Sequence, residues 1–226
     1  MNNLGFSPLL ICFLISILFS CNSPEPGNQN TIPTSTSNAT EAEITPQKNA
    51  TKNASSLEEK TKIIRNLYKE VQDNLNNYTA RSKPYTGELD AIVVGELTGY
   101  IAENEVVKLV DKAEEDHGPS KNEFYFVNGK LFFLFSQVST VEMTEKPNIH
   151  VRELRLYFDE NKIIDALVKT KTFKDGEKID MSIIANKKDD SLINSNEESE
   201  YYSALAYRAL EFFQGKESFD EFYGDK

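Results

Sequence analysis

The sequence predicts an α+β protein: an antiparallel meander sheet of about seven or eight strands, with N-terminal and C-terminal helices packed on it. Three observations predict this class. Apolar residues recur at steps of three and four up to residue 80, and from about Glu88 the period drops to two. One phrase then repeats along the chain: aromatic or apolar residues, a turn containing Asn, and β-branched or apolar residues again. Finally, a helical stripe returns at 198–213.

In chain order, the first element is a leader, assigned to residues 1–20. Leu9 to Phe19 is apolar except for Ser16. A membrane-spanning helix needs roughly 20 apolar residues and a signal h-region about 7–15, so this run has signal length. It ends in Leu18-Phe19-Ser20-Cys21, a small residue before a cysteine with a branched apolar residue three before it. Over residues 1–21 the chain resembles the bacterial lipoproteins that carry a lipobox signal peptide. The resemblance implies cleavage before Cys21, a diacylglyceryl thioether on its sulfur and acylation, palmitate included, of its new amino group. It also implies a cell-envelope location, and Asn22, where an acidic residue would signal inner-membrane retention, favours the outer membrane. Each buried CH₂ contributes roughly 0.8 kcal/mol, so several chains on one residue anchor the protein to the membrane durably. Cys12 follows Ile11, a poor cleavage context, and no cysteine lies after Cys21, so the mature chain can form no internal disulfide.

Residues 21–56 comprise the lipidated cysteine and a linker. The linker holds Pro24, Pro26, Pro33 and Pro46, many Ser, Thr and Asn, and no aromatic residue. Such a composition cannot bury enough apolar area to offset its ordering entropy, so disorder is expected. As a coil it would span roughly 33 Å, and as extended polyproline II about 110 Å. It is a tether that stands a folded module off the lipid surface.

Residues 57–226 form a single globular α+β domain. Residues 57–80 read as a helix with Ile64, Leu67, Val71, Leu75 and Tyr78 on one stripe, opened by the capping box Ser56-Leu57-Glu58-Glu59. Hairpins follow. Glu123 to Phe135 is the clearest, with Asn128-Gly129 suited to a type I′ turn; it pairs Phe126 with Leu131 and Phe124 with Phe133. Weaker copies stand at Gly99–Val107 and Leu156–Ile164, and Asp175-Gly176 predicts a fourth hairpin over Thr172–Ile179. Leu154, Leu156 and Phe158 alternate with Glu153, Arg155 and Tyr157, so one face is expected buried and the other mostly wet. Gly95 and Gly99 suggest a bulge or bend. Residues 198–213 place Tyr201, Leu205, Ala209 and Phe212 on a second helical stripe, stopped by Gly215. Both helices are expected on the apolar face, with the aromatic tail Phe219, Phe222 and Tyr223 docked on the domain.

The chain carries 25 basic and 36 acidic side chains, a net charge of −11. Nucleic acid would repel it. It lacks G-x-S-x-G, a Walker loop, G-x-G-x-x-G and H-E-x-x-H. Of its two histidines, His150 alternates onto a polar strand face, and His117 sits in the acidic loop Glu114-Glu115-Asp116-His117. Asp159-Glu160-Asn161 and Asp189-Asp190 lack EF-hand spacing and read as turns. No cofactor or metal site is expected. Tyr100, Tyr125, Phe132 and Tyr157 come from the repeated hairpins and could share the second sheet face, a candidate surface for a protein partner or hydrophobic ligand. The expectation is a lipid-anchored, non-enzymatic binding or interaction module of the cell envelope. The alternatives are a secreted soluble protein and a hydrolase-like enzyme built on the His117 loop.

Overall fold

The computed structural model describes residues 56–88 and 92–223. The leader, Cys21 and the linker as far as residue 55 lie outside the described residues.

Helix α1 spans Leu57–Asp73, and the Ser56 hydroxyl accepts the Glu59 amide at 3.1 Å. Ile64, Leu67 and Val71 are buried, as the stripe predicts. The helix is shorter than its periodicity suggests. Asn74 caps it, its side-chain amide donating to the Glu70 carbonyl at 2.9 Å, and a single 3₁₀ turn at Leu75–Asn77 follows. Leu75 and Tyr78 still pack against the same apolar cluster, but from beyond the helix. Strand β1 begins at once, Thr79–Glu88. It is an edge strand, which is why it tolerates Pro84 and carries little apolar alternation.

The remaining strands are β2 (Ile92–Ala102), β3 (Glu105–Glu115), β4 (Gly118–Val127), β5 (Lys130–Val141), β6 (Asn148–Asp159), β7 (Lys162–Lys174) and the two-residue β8 (Lys187–Lys188). They form one eight-stranded antiparallel meander in sequence order. The three repeated phrases are three hairpins with type I′ geometry. Their turn residues, Glu103-Asn104, Asn128-Gly129 and Glu160-Asn161, all have φ between 46° and 70°. The predicted fourth hairpin does not form. The turn at Gly176 closes, with the Glu177 amide donating to the Lys174 carbonyl at 2.9 Å, but no return strand follows, and β8 pairs only with Leu167 and Val168.

Each repeated hairpin carries a bulge at the same place. Tyr125 pairs with Phe133 while Phe126 pairs with Leu131, so Phe132 is the extra residue. Phe124 therefore opposes Leu134, not Phe133. Val107 and Ile164 are the extra residues of the other two. All three side chains join one apolar cluster with α1. The bulges thus add apolar side chains to the face on which α1 sits.

Helix α2 spans Asn196–Phe213, and the short α3 spans Phe219–Tyr223. Both pack on the face opposite α1, with Leu97, Leu109, Phe124, Leu134 and Leu156. The expectation of both helices on a single apolar face is corrected: strand alternation supplies two apolar faces, and each terminus covers one. α2 is also rotated relative to the predicted stripe. Ser199, Ser203, Ala206, Ala209 and Phe212 are buried, and Tyr201 is 55% exposed. Small residues let the helix approach the sheet closely, and the Ile163 amide donates to the Ser199 hydroxyl at 3.1 Å. The tail docks: Phe222 is 1% exposed, and its ring stacks on Phe212 at 5.0 Å. Gly95 and Gly99 form no bulge of their own. They leave room for the rings of Tyr85 and Phe213, which a Cβ would approach to 2.3 Å.

Candidate functional site

Cavities open on both faces of the sheet. On the α1 face, two charged strand residues are buried. Glu123 on β4 is 8% exposed and Lys108 on β3 is 5% exposed. Lys108 Nζ lies 2.9 Å and Lys121 Nζ 2.5 Å from the two oxygens of Glu123. The Tyr125 hydroxyl also donates to Glu123, and Gln72 Nε2 of α1 donates to that hydroxyl at 2.6 Å. Burial raises the proton affinity of Glu123, but the hydrogen bonds from Lys121, Tyr125 and Lys108 outweigh it and hold the carboxyl at about 2. Burial and the Glu123 charge push the Tyr125 phenol well above its ordinary value.

Beside this cluster α1 leaves the sheet uncovered, and a cavity of about 350 Å³ results. Phe133, Phe135 and Tyr157 line it from the sheet and Tyr68 lines it from α1. Tyr68 meets Phe133 edge-on at 5.0 Å, and Phe133 meets Tyr157 at 5.1 Å. Arg65, Arg155 and the Glu123 carboxylate complete the lining. The Arg65 guanidinium stands 5.5 Å from the Tyr157 ring centre and that of Arg155 5.1 Å from Phe135. Arg155 is held by Glu153 at 3.2 Å and Asn186 at 3.1 Å. Such a site has aromatic faces for an apolar body and guanidinium groups for an anionic end.

The four aromatic residues singled out in the sequence share this face, but it is not open. Tyr125, Phe132 and Tyr157 are 0%, 4% and 6% exposed, and Tyr100 is half-buried. α1 covers them, so they form no exposed patch; Tyr157 alone of the four reaches the cavity. Sequence reasoning missed Arg65, Tyr68, Phe135 and Arg155. Arg155 and Phe135 alternate in phase with Tyr157 and Phe133, and that register is the signal that could have found them. Cys21 lies outside the described residues.

On the other face, between α2 and the sheet, lies a second cavity of about 450 Å³. His117 stands at its rim, exposed, in the tight turn between β3 and β4 rather than in a long loop. Its carbonyl accepts the Val141 amide at 2.9 Å. Gly118 has φ +126°, and a Cβ there would lie 2.4 Å from the Ser139 carbonyl oxygen, so only glycine fits this approach. Asp111 lies on the floor at 1% exposure, its carboxylate accepting from the Tyr85 hydroxyl. Burial pushes its carboxyl up to about 6, against the hydrogen bonds from Tyr85 and Asn122. His150 is on the surface, 2.8 Å from Thr172 Oγ1 and 2.7 Å from Glu142 Oε1. Among the described residues no group of three His, Cys, Asp or Glu side chains could hold a metal ion, and no helix is long and apolar enough to cross a membrane.

No protein-family model, curated protein or solved structure matches the chain.

Proposed function

We propose that the protein is a lipid-anchored binding module of the bacterial cell envelope, tethered through Cys21 and acting without catalysis. The observation that carries the binding role is the aromatic cavity beside α1, rimmed by Arg65 and Arg155. Its neighbouring acid, Glu123, holds its charge down to about pH 2 and so has no proton to exchange near neutrality. The ligand class that fits is a small molecule with an aromatic or apolar body and one anionic group. Two guanidinium groups, Arg65 and Arg155, line the cavity against one carboxylate, Glu123, which two lysines already compensate, in a chain of net charge −11. That local excess favours an anion. The anchor is supported by the lipobox-type leader and the aromatic-free linker, and the outer membrane by Asn22.

Two measurements test the reading. Mass spectrometry of the mature protein should find an acylated Cys21, and Cys21→Ala should release the protein from membranes; a wild-type protein that is soluble and unacylated removes the anchor. Titration with anilinonaphthalene sulfonate, an aromatic anion, should show one saturable site that Phe135→Ala and Arg155→Ala each weaken. Binding indifferent to both substitutions removes the cavity from the proposal.

A further inference from the structure

The cavity on the α2 face has a different chemistry, and the sheet beneath it shows why. Along β4 the residues facing α2 run Phe126, Phe124, Asn122, Ser120, and along β5 Leu134 is followed by Ser136. The apolar core therefore gives way, within one cross-strand row, to small polar side chains. Asp111, Asn122 and Ser136 stand side by side on three adjacent strands. α2 continues over this row, but small residues do not fill the space beneath it, and a hollow of about 450 Å³ remains. The hollow is open to solvent at one side, where the exposed Glu115, His117, Arg152 and Tyr201 form its mouth, and its floor is the polar row.

We infer that this hollow is a binding site for a neutral, hydroxyl-rich ligand, a saccharide ring, received on Asp111, Asn122 and Ser136 and covered by Arg152 and Tyr201. Each group has a defined part. Asp111 accepts from ligand hydroxyls, Asn122 and Ser136 both donate and accept, and Arg152 only donates. Such a mixture suits hydroxyl groups, which are themselves both donors and acceptors. Arg152 lines the hollow from β6 and Tyr202 from α2. Tyr201, edge-on to Tyr202 at 5.0 Å and 55% exposed, presents an aromatic face to the C–H side of a ring at the mouth. The lining sets two carboxylates, Asp111 and Glu115, against two guanidinium groups, Arg152 and Arg208, so no net charge selects an ion, and an apolar ligand would leave the floor without hydrogen bonds. The volume lies in the ordinary range for small-ligand sites, about 300–1,000 Å³.

The test uses the full-length chain, with glucose, galactose, N-acetylglucosamine and their β-linked disaccharides as probes and inorganic phosphate as the anionic comparison. Saturation-transfer NMR identifies binders and calorimetry measures them. At least one saccharide should bind, and Tyr201→Ala should weaken it by about fivefold to tenfold, the worth of one aromatic contact, with the melting temperature unchanged. Ser136→Leu, which fills the floor, should abolish binding. The inference is overturned if no saccharide binds the wild-type chain, if phosphate binds and saccharides do not, or if Tyr201→Ala leaves saccharide affinity intact.

Discussion

Glu123 and Asp111 sit on adjacent strands, β4 and β3, and face opposite sides of the sheet, Glu123 toward α1 and Asp111 toward α2. Asp111 pairs in the ladder with Asn122, the residue just before Glu123. Both carboxyls are buried, yet one is held at about 2 and the other is pushed up to about 6. Burial acts on both in the same direction. The difference is what faces them. Glu123 meets two lysine ammonium groups and a phenol, whereas Asp111 accepts from the neutral Tyr85 and Asn122, with Glu115 repelling it from the rim. The two faces therefore differ in kind: the α1 face is charge-compensated, and the α2 face has a polar hollow with a costly acid on its floor.

The largest effect expected from this difference is at Glu123. Glu123→Gln leaves Lys108 buried without its carboxylate and should cost about 3–5 kcal/mol in denaturant unfolding. The double variant Glu123→Gln, Lys108→Met should recover most of that loss, because the uncompensated charge is gone. A single-variant cost near zero would mean that the lysines are not held by this carboxylate. The pH dependence follows from the depressed folded value. The stabilisation from Glu123 is fully present above its ordinary 4.5 and is lost as pH falls through about 2.

Asp111 should behave in the opposite sense and more weakly. Its folded value is raised, so its contribution is most favourable below its ordinary 3.8 and is lost as pH rises through about 6. Asp111→Asn should therefore be more stable than wild type at pH 7, by about 3 kcal/mol, and the advantage should shrink to below about 1 kcal/mol by pH 4. A constant difference across that range would show that the substitution acts through shape or hydrogen bonding and not through the proton.

How much of this was legible in the sequence depended on whether the signal was local. The three hairpins were legible because Asn104, Asn128-Gly129 and Asn161 accept the positive φ that type I′ turns require. Capping was legible at Ser56, where the hydroxyl sits at helix spacing from Glu59. β1 was hidden because an edge strand with Pro84 and polar residues shows no apolar alternation. The failed hairpin at Asp175-Gly176 had a sound turn, but the chain beyond it crosses the face of the sheet instead of pairing, burying Met181 against Val151 and Phe173. The burial of Glu123 and Lys108 was not legible, since alternation tells which residues share a face and not what covers that face. The same limit applies to Tyr125 and Phe132, whose shared face was legible while its cover, now seen to be α1, was not, and to Tyr201, which α2 turns outward because Ser199, Ser203 and Ala206 are the better seat.

The smallest expected effects are at the rims, and they sharpen the comparison most. Arg65 on the α1 face is 58% exposed, with its Asp165 partner at 3.9 Å, and Tyr201 on the α2 face is 55% exposed. Exposed ion pairs and exposed surface side chains contribute little, so Arg65→Ala and Tyr201→Ala should each shift stability by less than about 0.5 kcal/mol. Thermal melts of the two variants measure this directly. If the prediction holds, each residue can be removed without disturbing the face it borders, and binding measurements then divide the two cavities. Arg65→Ala should weaken the aromatic anion and spare saccharides, and Tyr201→Ala the reverse. If either variant shifts both ligands, the cavities are coupled through the sheet, and the independence of the two faces, on which their opposite charge logic rests, does not hold.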